Sequence, residues 1–248
     1  MNRLRLIIEY DGSNYVGWQK QKTGKSIQEE IEKSLSQLFQ EKIKVFGAGR
    51  TDSGVHATGQ VAHFDVNKIK IEKNKIALAI NYMLRKSENK ISILKAEEVP
   101  LSFDSRFSVK NKTYLYKIFN RKIRSFLIEK RAWFVPNSLD ISLMNQASKV
   151  LIGKYDFNAF RSISCQSRNS IRSIKNIKID ENINNIEIRV TGKSFLHNQV
   201  RIIVGTLVNV GKRVLNKEQI LNILESKERI NAGPTAPAHG LYLEKIEY

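Results

Sequence analysis

Gly49-Arg50-Thr51-Asp52-Ser53-Gly54-Val55-His56-Ala57 stands between two short runs with strand character, 43–46 and 60–65. Two glycines within six residues call for a backbone that turns tightly or comes close to something else. An Arg, a Thr and an Asp stand between them, and Val45-Phe46-Gly47-Ala48 makes an apolar approach that a solvated loop does not need. The segment is a poor helix and a poor strand. It reads as a shaped loop that presents Asp52 at the mouth of a pocket. An Asp in a Gly-flanked loop is most often a turn residue or a cap, so the loop taken alone leaves a purely structural role open.

The elements around this loop set the fold class. Leu4, Leu6, Ile8 and Tyr10 alternate as a strand over 4–10, and Asp11-Gly12 turns the chain. Tyr15 and Trp18 follow in a loop, where they either pack beneath it or stack on bases. Ser26-x-x-Glu29 has the spacing of a capping box, and Ile27, Ile31, Leu35 and Leu38 line one face of the helix it opens. A second helix is expected over 73–84, with Ile76, Ile80 and Met83 inward, and a strand over 91–96. The resulting order, β-α-β-β-α-β, is the split βαβ (ferredoxin-like) arrangement of an α+β fold: an antiparallel sheet with helices on one face.

The rest of the chain follows a similar scheme. A strand is expected over 114–119. Asp140 caps a helix carrying Leu143, Ala147, Val150 and Leu151, and Gly153 stands where that helix would end. The runs 172–179 and 186–190 read as a hairpin joined at 180–182. A helix covers 196–210, with Leu196, Val200, Ile203 and Leu207 on its core face and His197 and Arg201 at i and i+4 on its flank. Asn216-x-x-Gln219 starts a shorter helix, and 241–247 is a strand. No sequence repeat and no Pro/Gly-rich linker is present. The boundary is expected near 99–107, giving an N-terminal half, 1–104, that carries the Asp loop, and a second half, 105–248.

Composition narrows the function classes. The 248 residues are 41% hydrophobic and 27% charged, an ordinary globular balance with enough chain for a real core. No apolar run is long enough to span a membrane, and the N-terminus enters a strand pattern without a signal-peptide core. The single cysteine, Cys165, excludes an internal disulfide and points to a reducing, cytoplasmic setting. The four histidines, 56, 63, 197 and 239, show no metal-ligand spacing, and no phosphate-binding glycine loop is present. No metal and no small-molecule cofactor is therefore expected. The net charge of +18 suits a polyanionic partner. A biased base composition would account equally well for scattered lysines, but not for the arginines inside motifs.

The whole string from Gly49 to Ala57, continued by Thr58-Gly59-Gln60-Val61, resembles the catalytic signature of the TruA family of tRNA pseudouridine synthases. Other motifs agree in order: Glu9-Tyr10-Asp11-Gly12, Gly17-Trp18-Gln19, Phe107-Ser108, Tyr114-x-Tyr116, Cys165-Gln166-Ser167-Arg168, Phe195-Leu196-His197 with Val200-Arg201, and Gly240-Leu241-Tyr242-Leu243. Ser53 stands where a small Ala is frequent in the family, a tolerable change. The resemblance spans essentially the full chain. It implies two halves whose sheets join into one continuous antiparallel sheet, an RNA-binding cleft between the halves, a homodimer, and tRNA as substrate.

The implied reaction breaks the N1–C1′ bond of uridine, rotates the base and rejoins it through C5. Such an isomerisation needs no energy source and no redox partner. Asp52 is the candidate nucleophile, with attack on the sugar or on the base left open. The resemblance supplies Arg201 as the cation that would hold its carboxylate ionised. Arg50, with its planar guanidinium, is the candidate to fill the gap left by the flipped base. Tyr114 is the candidate platform for the uracil and the candidate to move a proton at C5, whereas Tyr116 reads as core. Leu241 either packs against the base or is simply a buried strand residue. Arg168 belongs to an RNA-facing loop. Thr51 is a supporting neighbour, and His56 is read as orienting the loop through a hydrogen bond. A non-catalytic basic RNA-binding module is the competing class, although a carboxylate in an RNA cleft repels phosphate and serves such a module poorly. A methyltransferase would need a glycine-rich cofactor loop, which Asp11-Gly12-Ser13 does not supply.

Overall fold

The computed structural model describes all residues from Met1 to Tyr248, and they fall into two compact units. The first unit is Met1–Lys110 together with Tyr242–Tyr248, and the second is Asn111–Leu241. Both are α+β, with mostly antiparallel strands.

The first unit contains β1 (Asn2–Tyr10), α1 (Ile27–Phe39), β2 (Val45–Gly47), β3 (His56–Val66), α2 (Ile76–Lys86) and β4 (Ile91–Val99). Strand β1 lies between β4 and β3, antiparallel to both, and β2 runs antiparallel to β3 over Val45↔Phe64 to Gly47↔Ala62. Leu4, Leu6 and Ile8 are fully buried, as the alternation requires. Helix α1 starts as expected: the Ser26 hydroxyl accepts the Glu29 N–H at 3.3 Å. Ile27, Ile31 and Leu35 are fully buried against the sheet. In α2 it is Leu84, not Met83, that takes the third inward position after Ile76 and Ile80. A single 3-10 turn over Lys73–Lys75 moves the start of the α-helix to Ile76, so the i, i+4, i+8 series selects Leu84.

The motif stretch divides differently from the expectation. The loop ends at Val55, and His56, Ala57, Thr58 and Gly59 already belong to β3. The reason is lateral pairing. Ala57 pairs with Tyr10 beyond a bulge in β3. On the other edge, β10 (Leu241–Glu247) runs parallel to β3 through Tyr242↔His56 and Leu243↔Ala57. At this crossing the backbones are so close that a Cβ on Gly59 would lie 2.2 Å from the Glu244 carbonyl oxygen.

The second unit contains β5 (Asn111–Asn120), β6 (Trp133–Val135), α3 (Ile141–Ser148), β7 (Gly153–Asp156), β8 (Ile171–Asn182), β9 (Asn185–Gly192), α4 (Gln199–Gly211) and α5 (Lys217–Ser226). Strand order is β5-β9-β8-β7, antiparallel throughout, with β6 parallel to β5. The β8–β9 turn falls at Ile183-Asn184, later than 180–182, because Asn184 takes the positive φ of 61° that a two-residue turn needs. Asp140 caps α3 through the Leu143 N–H at 3.1 Å, and Met144 and Ala147 face its core. Asn216 and Gln219 form a complete capping box at α5.

Helix α4 begins at Gln199, three residues later than the apolar pattern predicted. Asn198 is left-handed at φ 61°, which no helix interior tolerates. His197 therefore lies outside the helix, and the predicted i, i+4 relation between His197 and Arg201 on one helical face does not form. Ile202, Ile203, Val204, Leu207 and Val208 are all fully buried, so α4 is enclosed on nearly every side.

The Gly59 crossing generates a test. Gly59→Ala should cost about 1–3 kcal/mol by overpacking backbone against backbone, whereas the exposed neighbour change Thr58→Ala should stay within about 0.5 kcal/mol. Urea unfolding of the two variants measures this, and equal midpoints would mean that the β3–β10 crossing is not close-packed.

Candidate active site

The Asp loop is tied down along its whole length within the first unit. The Ala48 N–H donates to the Val61 carbonyl at 2.8 Å, and the Gln60 side chain donates to the Gly49 carbonyl at 2.9 Å. The Trp18 N–H donates to the Thr51 carbonyl at 3.0 Å. The Ser53 hydroxyl donates to the Tyr15 carbonyl at 3.1 Å. The Val55 N–H closes a turn on the Asp52 carbonyl at 3.1 Å. The Gly12 backbone also presses directly on the loop, and a Cβ there would sit 2.0 Å from the Val55 carbonyl oxygen.

Beneath the loop, the hydroxyls of Tyr10 and Thr51 meet at 2.7 Å in a buried hydrogen bond. Burial pushes the Tyr10 hydroxyl well above its ordinary value, so it remains a neutral phenol. Tyr10 also tilts against Trp18, with ring centroids 6.1 Å apart. His56 is 2% exposed; its ring stacks on Tyr242 at 4.7 Å, and its Nδ1 accepts the Gly12 N–H at 3.1 Å. The same Nδ1 lies 3.3 Å from the Asp11 carboxylate. His56 thus binds the end of β1 to the start of β3. Within this frame Arg50 is exposed and Asp52 is half-buried.

In the second unit, Arg201 occupies the first turns of α4. Its Nε donates to the Ala236 carbonyl at 2.7 Å and its Nη1 to the Asn198 side-chain oxygen at 2.8 Å, while its own carbonyl accepts the Ala236 N–H at 3.1 Å. The strand that carries Tyr114 also carries Tyr116, as predicted. Tyr114 is 9% exposed and meets the edge of Phe195 at 5.3 Å, whereas Tyr116 is fully buried and donates to the Pro237 carbonyl at 2.8 Å. Burial pushes the Tyr116 hydroxyl up, and the charge of Arg201 opposes the shift. Leu241 is buried at the start of β10.

Arg168 is exposed on the loop between Phe160 and β8. Flanking arginines hold that loop: Arg161 donates to the Ser167 carbonyl at 3.0 Å, and Arg172 donates to the Ser167 hydroxyl at 3.0 Å. Burial lowers the Arg172 pKa, and its Nε has no hydrogen-bond partner. A separate surface depression lined by Leu215, Gln219, Asn222, Ile223, Ser226 and Asn231 holds no ionisable side chain and none of the motif residues.

A family model described as tRNA pseudouridine synthase matches residues 6–108 and 147–248, a span that includes the Asp loop, Arg168, Arg201 and Leu241. The chain belongs to the TruA family of tRNA pseudouridine synthases. It is 48% identical over 247 residues to tRNA pseudouridine synthase A of Wolbachia pipientis wMel, covering 99% of this chain and 100% of the relative. It is 47% identical over 249 residues to the protein of that name from Anaplasma marginale (strain Florida), covering 99% and 100%. It is 43% identical over 248 residues to that of Sinorhizobium fredii (strain NBRC 101917 / NGR234), covering 100% of both.

Within this family frame the structure adds supports that motif reading left without a role. Tyr10 and Gln60 hold the loop from below, and Asn198 and Ala236 hold the Arg201 guanidinium. Tyr10 had a sequence signal in its place at the end of the inward series Leu4, Leu6, Ile8. Ala236 had none, since only its backbone is used.

The buried Tyr10–Thr51 pair should behave as a coupled unit. Tyr10→Phe leaves the Thr51 hydroxyl unpaired and should cost about 1–3 kcal/mol. Adding Thr51→Val should cost less than the sum of the two single changes. A double-mutant cycle by urea unfolding reads the coupling, and strict additivity would refute it.

Proposed function

We propose that this protein isomerises uridine to pseudouridine at positions 38, 39 and 40 in the anticodon stem-loop of tRNA, by base flipping and with Asp52 as the nucleophile. The observation that carries the reading is the Asp52 loop: the family's signature string, held by hydrogen bonds on both flanks, with Asp52 half-buried within it. Family membership over the full chain supports the reaction class and the tRNA substrate.

In this reading the remaining residues take the following roles. Arg201 supplies positive charge to the Asp52 carboxylate, and its two hydrogen bonds hold the guanidinium in one orientation. Tyr114 stacks on the flipped uracil and exchanges the proton at C5. Its edge contact with Phe195 sets the ring plane. Arg50 enters the space the base vacates, at a flipping cost of roughly a few kcal/mol. Leu241 packs against the base, and Arg168 contacts the RNA backbone. Thr51 and His56 hold the loop and take no part in proton transfer. The enzyme works as a homodimer in the cytoplasm without a cofactor.

The chemistry of the site supports Asp52 over a binding-only role. A carboxylate in an RNA-binding loop weakens phosphate binding, so it is useful there when it reacts. Tritium release from C5-labelled uridine in unmodified tRNA tests this. The wild type should release tritium; Asp52→Asn should release none while still binding tRNA, and turnover by that variant would refute the assignment.

The charge of +18 sets a second expectation. Affinity for tRNA should fall steeply, by about 10³-fold or more between roughly 50 and 200 mM salt, if six or more phosphates are contacted. A flat salt response in filter binding would exclude an extended basic track.

A further inference from the structure

Two phenylalanine rings of the first unit face solvent although the chain around them is firmly held. Phe46 is 42% exposed and Phe107 is 79% exposed. The turn that presents Phe107 is built by its own side chains. One carboxylate oxygen of Asp104 accepts the N–H of Arg106 at 2.7 Å and of Phe107 at 2.9 Å, and the Asp104 N–H donates to the Ser108 hydroxyl at 3.2 Å. Ser105, fully buried, anchors the turn to the sheet. Its N–H donates to His63 Nδ1 at 3.1 Å, its hydroxyl donates to the Phe46 carbonyl at 2.6 Å, and its carbonyl accepts the Tyr248 hydroxyl at 2.8 Å. Phe46 in turn stacks on His63 at 5.1 Å.

Each ring carries a cation. The Lys44 ammonium lies 5.2 Å from the Phe46 centroid, and the Arg106 guanidinium lies 5.3 Å from that of Phe107. The bond from the Ser105 hydroxyl to the Phe46 carbonyl joins the turn that carries Phe107 to the strand that carries Phe46, and that strand, β2, runs directly into the Asp loop.

A ring beside a cation matches a nucleotide, whose base stacks on the one and whose phosphate meets the other. A protein partner fits less well at the Lys44 end, because lysine is depleted in such interfaces. We propose that Phe46 and Phe107, with Lys44 and Arg106, form a stacking platform for unpaired bases of the bound RNA beside the base that enters the Asp loop. This rests on the reading of the protein as an RNA-modifying enzyme. The platform is preorganised: Phe107 is fixed by its turn before RNA arrives, so little ordering entropy is lost on binding.

The test uses the full chain and an unmodified tRNA transcript, with affinity read by fluorescence anisotropy at several salt concentrations. Phe107 makes few fold contacts, so truncating it leaves the fold intact. Phe107→Ala should bind about tenfold more weakly, the loss of one stacked base, with an unchanged salt slope. Phe107→Tyr should restore affinity. Arg106→Gln should reduce the salt slope by about one. Wild-type affinity in Phe107→Ala would overturn the platform. So would a loss of self-association in sedimentation at unchanged RNA affinity, which would make the patch a protein contact. The readout does not depend on turnover. A wild type that binds tRNA without releasing tritium removes the isomerase reading and leaves the platform testable by the same variants. An active wild type with unaffected Phe107→Ala binding removes the platform alone, and a wild type that binds no tRNA removes both.

Discussion

The first unit depends on a contact between two stretches of bare backbone. Gly12 lies so close to Val55 that no side chain fits between them. Around that point the Trp18 N–H reaches Thr51 and the Ser53 hydroxyl reaches Tyr15. Side chains hop between rotamers, whereas a backbone pressed on a backbone has one position. The loop is thereby referenced to the end of β1, and β1 lies between two antiparallel neighbours. In the proposed role the Asp52 carboxylate needs placement within about half an ångström, and a backbone-to-backbone contact favours that.

The same logic appears in the second unit with different materials. Arg201 is held by the Ala236 carbonyl and by the side chain of Asn198, a residue whose left-handed backbone ends the preceding loop and starts α4. An arginine in a largely enclosed site is costly unless its donors are met, and here a carbonyl and an amide oxygen meet them. Both acceptors fix the direction of the guanidinium.

Much of this was legible in the sequence, and the gaps have physical causes. Alternation found β1 because Leu4, Leu6 and Ile8 point one way into a core. Capping chemistry found the starts of α1, α3 and α5 because Ser26, Asp140 and Asn216 act locally. The start of α4 was misread because Leu196 is apolar and in phase, while the break at Asn198 is a matter of φ alone. The strand character of His56 to Gly59 was missed because it comes from pairing with Tyr10 and Tyr242, residues remote in sequence. Motif strings named the candidate residues of the site, but they do not carry the backbone groups, such as the Ala236 carbonyl, that hold them.

The stacking of Tyr242 on His56 has a consequence for how the protein folds. Strand β10 joins the first unit's sheet, yet it follows the whole second unit in the sequence. Until it pairs, β3 has an open edge at His56 and Ala57, and the imidazole that fastens Gly12 lacks its stacking partner. The long sequence separation makes this a slow, late contact. The Asp52 loop therefore gains its last support only when β10 closes this edge.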